Sequence, residues 1–167
     1  MEKIFYIFIF VLFVTSGLIA EDKIKEMKWR KYDTGLTEAK KLKKKILVDV
    51  YTDWCKWCKK LDAEVYTEAK VAKYLDQQYI PVKINAESDE KVTYDGKKIT
   101  EAELAARLGV SGYPTIIFLD TEGKYINKLA SFVSADRFLP IMQYIGDDHY
   151  KKISWEEYQK KNTPPPK

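Results

Sequence analysis

Cysteine is scarce in this sequence, and histidine is scarcer still. The chain of 167 residues contains two cysteines, Cys55 and Cys58, and a single histidine, His149, far along the chain. A structural zinc site takes four cysteine or histidine ligands that meet in the fold. The sequence therefore argues against a metal centre, and we expect neither a metal nor a cofactor.

The sequence also lacks an excess of charge of one sign. Its 29 basic and 25 acidic residues leave a net charge of +4, and no basic stripe with interleaved aromatic residues occurs. Nucleic acid is therefore not expected as a partner. Hydrophobic residues make up 46% of the chain, which is the balance of a globular protein, and the length suits one domain.

A long apolar run occurs once, at the N-terminus. Lys3 precedes apolar residues from Ile4 to Val14, and small residues follow up to Ala20. This order is typical of a secretory signal peptide, so we predict a signal peptide at 1–20. The alternative is an uncleaved membrane anchor. Cleavage is favoured over it, because the run from Ile4 to Ala20 barely reaches the roughly 17 residues that a spanning helix needs. In both cases the domain is exported.

Short apolar runs rich in β-branched residues alternate with helical patterns. ILVDVY at 46–51 and YIPVKIN at 79–85 predict two strands. Because Pro81 lacks an N–H group, we expect either that the second strand lies at a sheet edge or that Pro81 lies at its start. Two further strands, 113–120 and 124–132, are expected to pair antiparallel. Strands separated by helices imply an α/β fold whose mixed sheet is covered on both faces.

Helix signals are placed between and around these strands. Helices are predicted from a cap at Thr37 through the following lysines, over 55–77 with a break near Tyr66, over 100–109, and over 134–145. Thr100 and Glu103 form a capping box, and the pair Asp95-Gly96 predicts a hairpin before it. We expect one domain over 21–160, and a disordered tail at 161–167 that ends in prolines and lysine.

Both cysteines lie in the stretch DWCKWCKK, between a buried strand and a helix. At the start of a helix, unpaired N–H groups and the dipole stabilise a thiolate at Cys55. Cys58, one turn further, is expected to be more buried, and Asp49 on the strand beneath can take its proton, unless that carboxylate reaches solvent. A disulfide staple and a Cu(I) site remain open beside a redox pair.

Two segments together resemble the thioredoxin superfamily. They are ILVDVYTDWCKWCKK and ELAARLGVSGYPTIIFLDTEGK, and the resemblance runs from about residue 29 to 146. It implies a thioredoxin fold with an extra N-terminal helix and a short insertion, near 87–100, before the cis-proline strand. It also implies roles: Cys55 as nucleophile, Cys58 as resolving thiol, Asp49 as buried acid, Trp54 as the preceding aromatic residue, and Pro114, after Tyr113, as the cis-proline beside which substrate binds.

The dipeptide Lys56-Trp57 between the cysteines differs from the Gly-Pro of ordinary thioredoxin. Trp54 and Trp57 can form a contact surface for a substrate, although Trp57 can equally be a core residue. The insertion and the C-terminal segment are similar to those of exported bacterial thioredoxin-like proteins of sulfur-oxidation operons and of the redox domain that ends membrane interchange proteins.

This resemblance implies an exported, periplasmic thiol:disulfide oxidoreductase. We expect it to reduce protein disulfides through a mixed disulfide and to receive electrons from a membrane thiol donor, because a soluble reductase in an oxidising periplasm must be recharged. The alternatives are a disulfide oxidase or isomerase that uses the same residues, and a non-enzymatic module that holds a partner or Cu(I). The sequence does not specify an oligomeric state.

Overall fold

The computed structural model describes residues 27–162. The predicted signal peptide at 1–20 lies outside the described residues, and so does the tail beyond residue 162. Lys161 and Asn162, which the sequence places in that tail, form the end of the last helix. None of the helices between residues 27 and 162 is long and apolar enough to cross a membrane.

Six strands and six α-helices follow one another along this part of the chain. The strands are β1 (Lys45–Tyr51), β2 (Tyr79–Asn85), β3 (Lys91–Tyr94), β4 (Lys97–Thr100), β5 (Thr115–Leu119) and β6 (Tyr125–Leu129). The helices are α1 (Tyr32–Leu42), α2 (Lys56–Glu64), α3 (Ala69–Gln78), α4 (Glu101–Arg107), α5 (Ala135–Gly146) and α6 (Trp155–Asn162), with a short 3-10 helix at His149–Lys151 before α6.

Four strands form the central sheet in the order β2-β1-β5-β6. β1 is parallel to β2 and antiparallel to β5, which confirms the predicted mixed sheet. β2 is an edge strand of this sheet, which is one of the two alternatives that Pro81 left open. The chain before α1 adds an isolated bridge outside β2, in which the N–H of Arg30 donates to the carbonyl oxygen of Pro81 at 3.0 Å.

Each face of the sheet carries its own apolar core. Alternate residues of β1 point to opposite faces, so Ile46, Val48 and Val50 pack with residues of α1 and α4. Leu47 packs with residues of α2, α3 and α5 on the other face. Because Asp49 follows the same alternation as Leu47, its side chain points to the α2 side.

The local signals of the insertion give the structure that they predicted. β3 and β4 form an antiparallel hairpin whose turn residues Asp95 and Gly96 have φ of 49° and 73°. Thr100 and Glu103 make both hydrogen bonds of the capping box at the start of α4. Each of these features depends on residues within a few positions, which is why the sequence pattern sufficed.

Several predicted boundaries are wrong, among them the end of β6, which lies at Leu129 rather than at residue 132. Two of them have a clear physical reason. α1 begins at Tyr32 rather than after Thr37, whose hydroxyl donates to the Asp33 carbonyl within the helix at 2.9 Å. Tyr32 is buried against the sheet, so a tertiary contact rather than a cap starts the helix. β5 begins at Thr115, two residues later than predicted, because Pro114 has no N–H to donate to a neighbouring strand.

Candidate active site

The two cysteines lie between the end of β1 and the first turn of α2. The N–H of Cys55 donates to the Thr52 carbonyl at 3.1 Å, and this turn makes Cys55 the N-cap of α2. A disulfide joins Cys55 and Cys58 with an S–S distance of 2.05 Å. The N–H of Cys58 donates to Cys55 Sγ at 3.0 Å, so this sulfur caps the helix in place of a side-chain oxygen.

Both cysteines are buried. Cys55 is 4% exposed and Cys58 2%, so Cys58 is the more buried of the two, as predicted, but only by a small margin. The two bonded sulfur atoms contact each other, and this contact removes surface from both. The two sulfur atoms differ more clearly in hydrogen bonding, because Cys55 Sγ accepts a hydrogen bond from the N–H of Cys58 at the start of the helix.

Exposed aromatic side chains flank the disulfide. Trp54 is 63% exposed and Trp57 55%, so Trp57 is not a core residue. The Trp54 ring meets the Tyr113 ring edge-on with centroids 5.8 Å apart, and its Nε1 donates to Glu87 Oε1 at 2.9 Å. The Trp57 ring lies 5.3 Å from the ring of Phe132. The disulfide therefore lies within a surface that offers apolar area to a partner.

The pairing of β5 with β1 places Tyr113 and Pro114 beside this surface. Val50 near the end of β1 pairs with Thr115 at the start of β5, so the chain after β1 and the chain before β5 lie at the same end of the sheet. The peptide bond between Tyr113 and Pro114 is cis. The structure thus brings these two residues together with Trp54, while their role toward a substrate stays a prediction.

Asp49 is fully buried on the α2 side of the sheet. The alternative that its carboxylate reaches solvent is therefore wrong. Burial raises the pKa of Asp49 to about 6, since Lys83 opposes this rise only in part and the charge of Asp62 adds to it. Asp49 Oδ2 lies 3.3 Å from Lys83 Nζ.

Sequence reasoning missed Lys83 and Asp62. Lys83 stands directly opposite Asp49 in the parallel pairing of β1 with β2, and its Nζ lies 2.7 Å from Asp62 Oδ1 and Oδ2. A lysine in the otherwise apolar run YIPVKIN was the available signal, since an inward cation there needs a carboxylate partner. Burial disfavours the Lys83 cation, but Asp49 and Asp62 outweigh it and raise its pKa.

The remaining charged and metal-ligating residues do not converge here. Lys56 and Lys59 are exposed, and Lys60 lies 3.7 Å from Glu64. Within residues 27–162 no group of three histidine, cysteine, aspartate or glutamate side chains is placed to hold a metal ion. His149 instead packs its ring 4.9 Å from the ring of Tyr158.

Comparison with known proteins agrees with the resemblance seen in the sequence. Residues 32–146 match the family described as thioredoxin-like domain. The thiol:disulfide interchange protein DsbD of Actinobacillus pleuropneumoniae is 29% identical over 98 residues, which are 58% of this chain and 15% of that protein. The chain thus matches a small part of the length of this curated relative.

Solved structures agree on the fold. A thioredoxin-fold protein from Helicobacter pylori superposes with a TM-score of 0.60 at 23% identity, over 72% of this chain and 80% of that one. A thioredoxin from Thermus thermophilus superposes with a TM-score of 0.59 at 20% identity, over 72% and 88% of the two chains. These likenesses show the α/β fold with its mixed sheet. The N-terminal helix that the resemblance implied is α1.

Proposed function

Since this chain belongs to the family of thioredoxin-like domains, we propose that it is an exported thiol:disulfide oxidoreductase that reduces disulfides of protein substrates. The observation that carries the proposal is the Cys55–Cys58 disulfide at the start of α2, where Cys55 Sγ accepts the N–H of Cys58. The same N–H stabilises a thiolate at Cys55 once the disulfide is reduced. This chemistry needs no metal and no cofactor.

The proposed reaction begins with the reduced dithiol. The Cys55 thiolate attacks one sulfur of the substrate disulfide, the substrate S–S bond breaks, and the other substrate sulfur leaves as a thiolate that water protonates. Cys58 then loses its proton and attacks Cys55 Sγ, which releases the second substrate thiolate. Two electrons pass from the enzyme to the substrate, and the Cys55–Cys58 disulfide is formed.

Asp49 is the proposed proton acceptor for Cys58. Its carboxyl group lies on the face of the sheet that α2 covers, and it has no contact with solvent. With a pKa of about 6, Asp49 is mostly ionised at neutral pH and binds a proton more readily than an ordinary aspartate. Both properties suit a base that accepts a proton from a sheltered thiol.

The exposed aromatic surface is the proposed docking site for the substrate polypeptide. Trp54 and Trp57 flank the disulfide, and Tyr113 lies against Trp54. Aromatic side chains of this kind bury much apolar area on contact. The backbone beside Pro114 lies next to this aromatic surface and can pair with an extended chain.

Several observations support the reductive direction and an external electron donor. The insertion after β2 is a small hairpin, β3–β4, rather than a helical domain that would form a peptide groove. In an oxidising periplasm, a reductase must be recharged by a dithiol whose electrons cross the membrane. The name of the relative, a thiol:disulfide interchange protein, fits such a chain of exchange. Export itself rests on the signal pattern at 1–20.

The exchange reaction is tested by reduction of insulin with dithiothreitol as the electron source. The wild-type chain should accelerate insulin precipitation, and Cys55→Ser should reduce the rate to that of dithiothreitol alone. In a separate reaction without dithiothreitol, reduced Cys58→Ser should accumulate a mixed disulfide with insulin, detected by mass spectrometry under non-reducing conditions. Equal rates for the wild type and Cys55→Ser would refute the proposed activity.

The direction is tested by the redox equilibrium of the Cys55–Cys58 pair with glutathione. A reductant should have a potential near that of thioredoxin, about −270 mV, whereas an oxidant would lie near −120 mV. A value at the oxidising end would leave the activity in place and overturn the direction. A matched measurement on Lys56→Gln gives the contribution of the charge between the two cysteines.

A further inference from the structure

Lys83 bridges two carboxylates that differ in burial. Its Nζ lies 2.7 Å from each side-chain oxygen of Asp62 and 3.3 Å from Asp49 Oδ2. The side chain of Asp49 is 0% exposed, that of Lys83 21% and that of Asp62 42%. The three groups therefore form a row that leads from the buried face of the sheet to the surface of α2.

Aromatic rings limit where the Lys83 ammonium can go. The rings of Trp29 and Tyr51 each have their centroid 4.9 Å from Nζ. Trp29 is held there by the bridge outside β2, in which the N–H of Lys83 donates to the Arg30 carbonyl at 3.1 Å. Between these rings, the two carboxylates decide toward which side the ammonium moves.

The shorter ion pair belongs to the outer carboxylate. Asp62 receives two hydrogen bonds from Lys83, and charge-assisted contacts at this distance are strong. Asp49 has the longer contact, and among the described residues neither Oδ1 nor Oδ2 of Asp49 has a hydrogen-bond partner. A single ammonium shared in this way neutralises the inner carboxylate incompletely.

We propose that Asp62 is a positioning residue, which draws the Lys83 ammonium outward and keeps part of its charge away from Asp49. The inference rests on the proposed role of Asp49 as the proton acceptor for Cys58. Without Asp62, Lys83 would move onto Asp49 and hold it ionised, and an ionised carboxylate with a close cation is a weak base. Asp62 thereby preserves the basicity of a group that it does not touch.

Few other titratable groups face this row. From the segment after α2, the buried Tyr66 hydroxyl lies within the electrostatic influence of Asp49 and Asp62, and burial keeps its pKa well above the usual range. At the end of β1, burial also raises the pKa of Tyr51. Both hydroxyls stay neutral around pH 6, so a change in the titration of Asp49 reports on Lys83 and Asp62.

The test is a carbon-13 NMR titration of the Asp49 carboxyl in the oxidised, full-length chain. Asp62→Asn should lower the titration midpoint by about one pH unit, because Lys83 then pairs with Asp49 alone. In a Lys83→Met background, the same Asp62→Asn change should shift the midpoint by less than half as much. Glu64→Gln, an exposed acid on the same helix, is the matched control and should leave the midpoint unchanged.

Two results would overturn the proposal. The first is an unchanged midpoint in Asp62→Asn. The second is an equal shift with and without Lys83, which would mean that Asp62 acts on Asp49 by direct repulsion.

The titration needs no turnover, so its outcome is separate from the fate of the proposed activity. In a stopped-flow assay of mixed-disulfide resolution, the pH midpoint should fall in Asp62→Asn together with that of Asp49. A shifted carboxyl titration with an unshifted rate profile would remove Asp49 from the reaction and leave the position of Lys83 as argued.

Discussion

At the scale of single residues, Asp49 is a carboxyl group whose ionisation the fold opposes. Burial raises its pKa to about 6, above the value of about 3.9 for an exposed aspartate. Below pH 4 the carboxyl is protonated in both folded and unfolded chains and costs nothing. Between pH 4 and 6 the unfolded chain ionises first, so stability is lost as pH rises through this window and stays lower above it.

Asp49→Asn removes this cost. At pH 8 the free energy of unfolding should rise by about 3 kcal/mol, which is the value of a change of about two in pKa. At pH 4 the gain should be small. Urea denaturation of the oxidised chain at both pH values measures the change in the free energy of unfolding. The control is Asp89→Asn, a substitution at an exposed position. A gain of the same size at both pH values would show that ionisation is not its cause.

At the scale of secondary-structure elements, Gly35 sets how closely α1 approaches the sheet. A Cβ atom at this position would lie 2.2 Å from Val82 Cγ2 on β2. Val82 is fully buried, so it has no room to yield. The glycine is therefore required by the contact between the two elements, although glycine is a poor residue for a helix interior.

Gly35→Ala is expected to destabilise the protein. Helix propensity alone would predict a gain of about 1 kcal/mol, but overpacking against Val82 should cost about 1 to 3 kcal/mol. Urea denaturation decides the sign. Gly112→Ala is the matched control, because a Cβ at Gly112 meets nothing within 4 Å. A more stable Gly35→Ala variant would mean that α1 can shift away from β2 at little cost.

At the scale of the whole molecule, the segment after α5 is part of the core on the α2 side. Tyr158 on α6 is buried, and its ring lies 5.1 Å from the ring of Tyr144 on α5. The Tyr144 hydroxyl donates to the Ile153 carbonyl at 2.7 Å. The chain from the 3-10 helix onward therefore packs on α5 and is expected to unfold together with the sheet.

Tyr158→Ala should lower the free energy of unfolding by about 3 kcal/mol and leave a single transition. Circular dichroism and tryptophan fluorescence, followed together during urea denaturation, should give coincident curves. Tyr125 on β6 is exposed, so Tyr125→Ala should change the free energy of unfolding much less than Tyr158→Ala does. A separate early transition in either signal would show that α6, which carries Trp155, unfolds independently of the sheet.

Local patterns in the sequence were enough for most elements. The boundaries of β2 and the break between α2 and α3 follow from apolar runs and their interruptions. The hairpin turn at Asp95-Gly96 and the cap at Thr100 follow from backbone and side-chain requirements of single residues. Such signals depend only on residues a few positions apart, so they can be recognised in the sequence without knowledge of the tertiary contacts.

The sequence by itself determined that two cysteines open a helix after a buried strand. Only the tertiary structure decided how Asp49 is charged, because its partners arrive from elsewhere: Lys83 from β2 and Asp62 from the far end of α2. The burial of Cys55 was also decided there. Burial and ion pairing depend on which distant segments meet, and a linear pattern does not specify that.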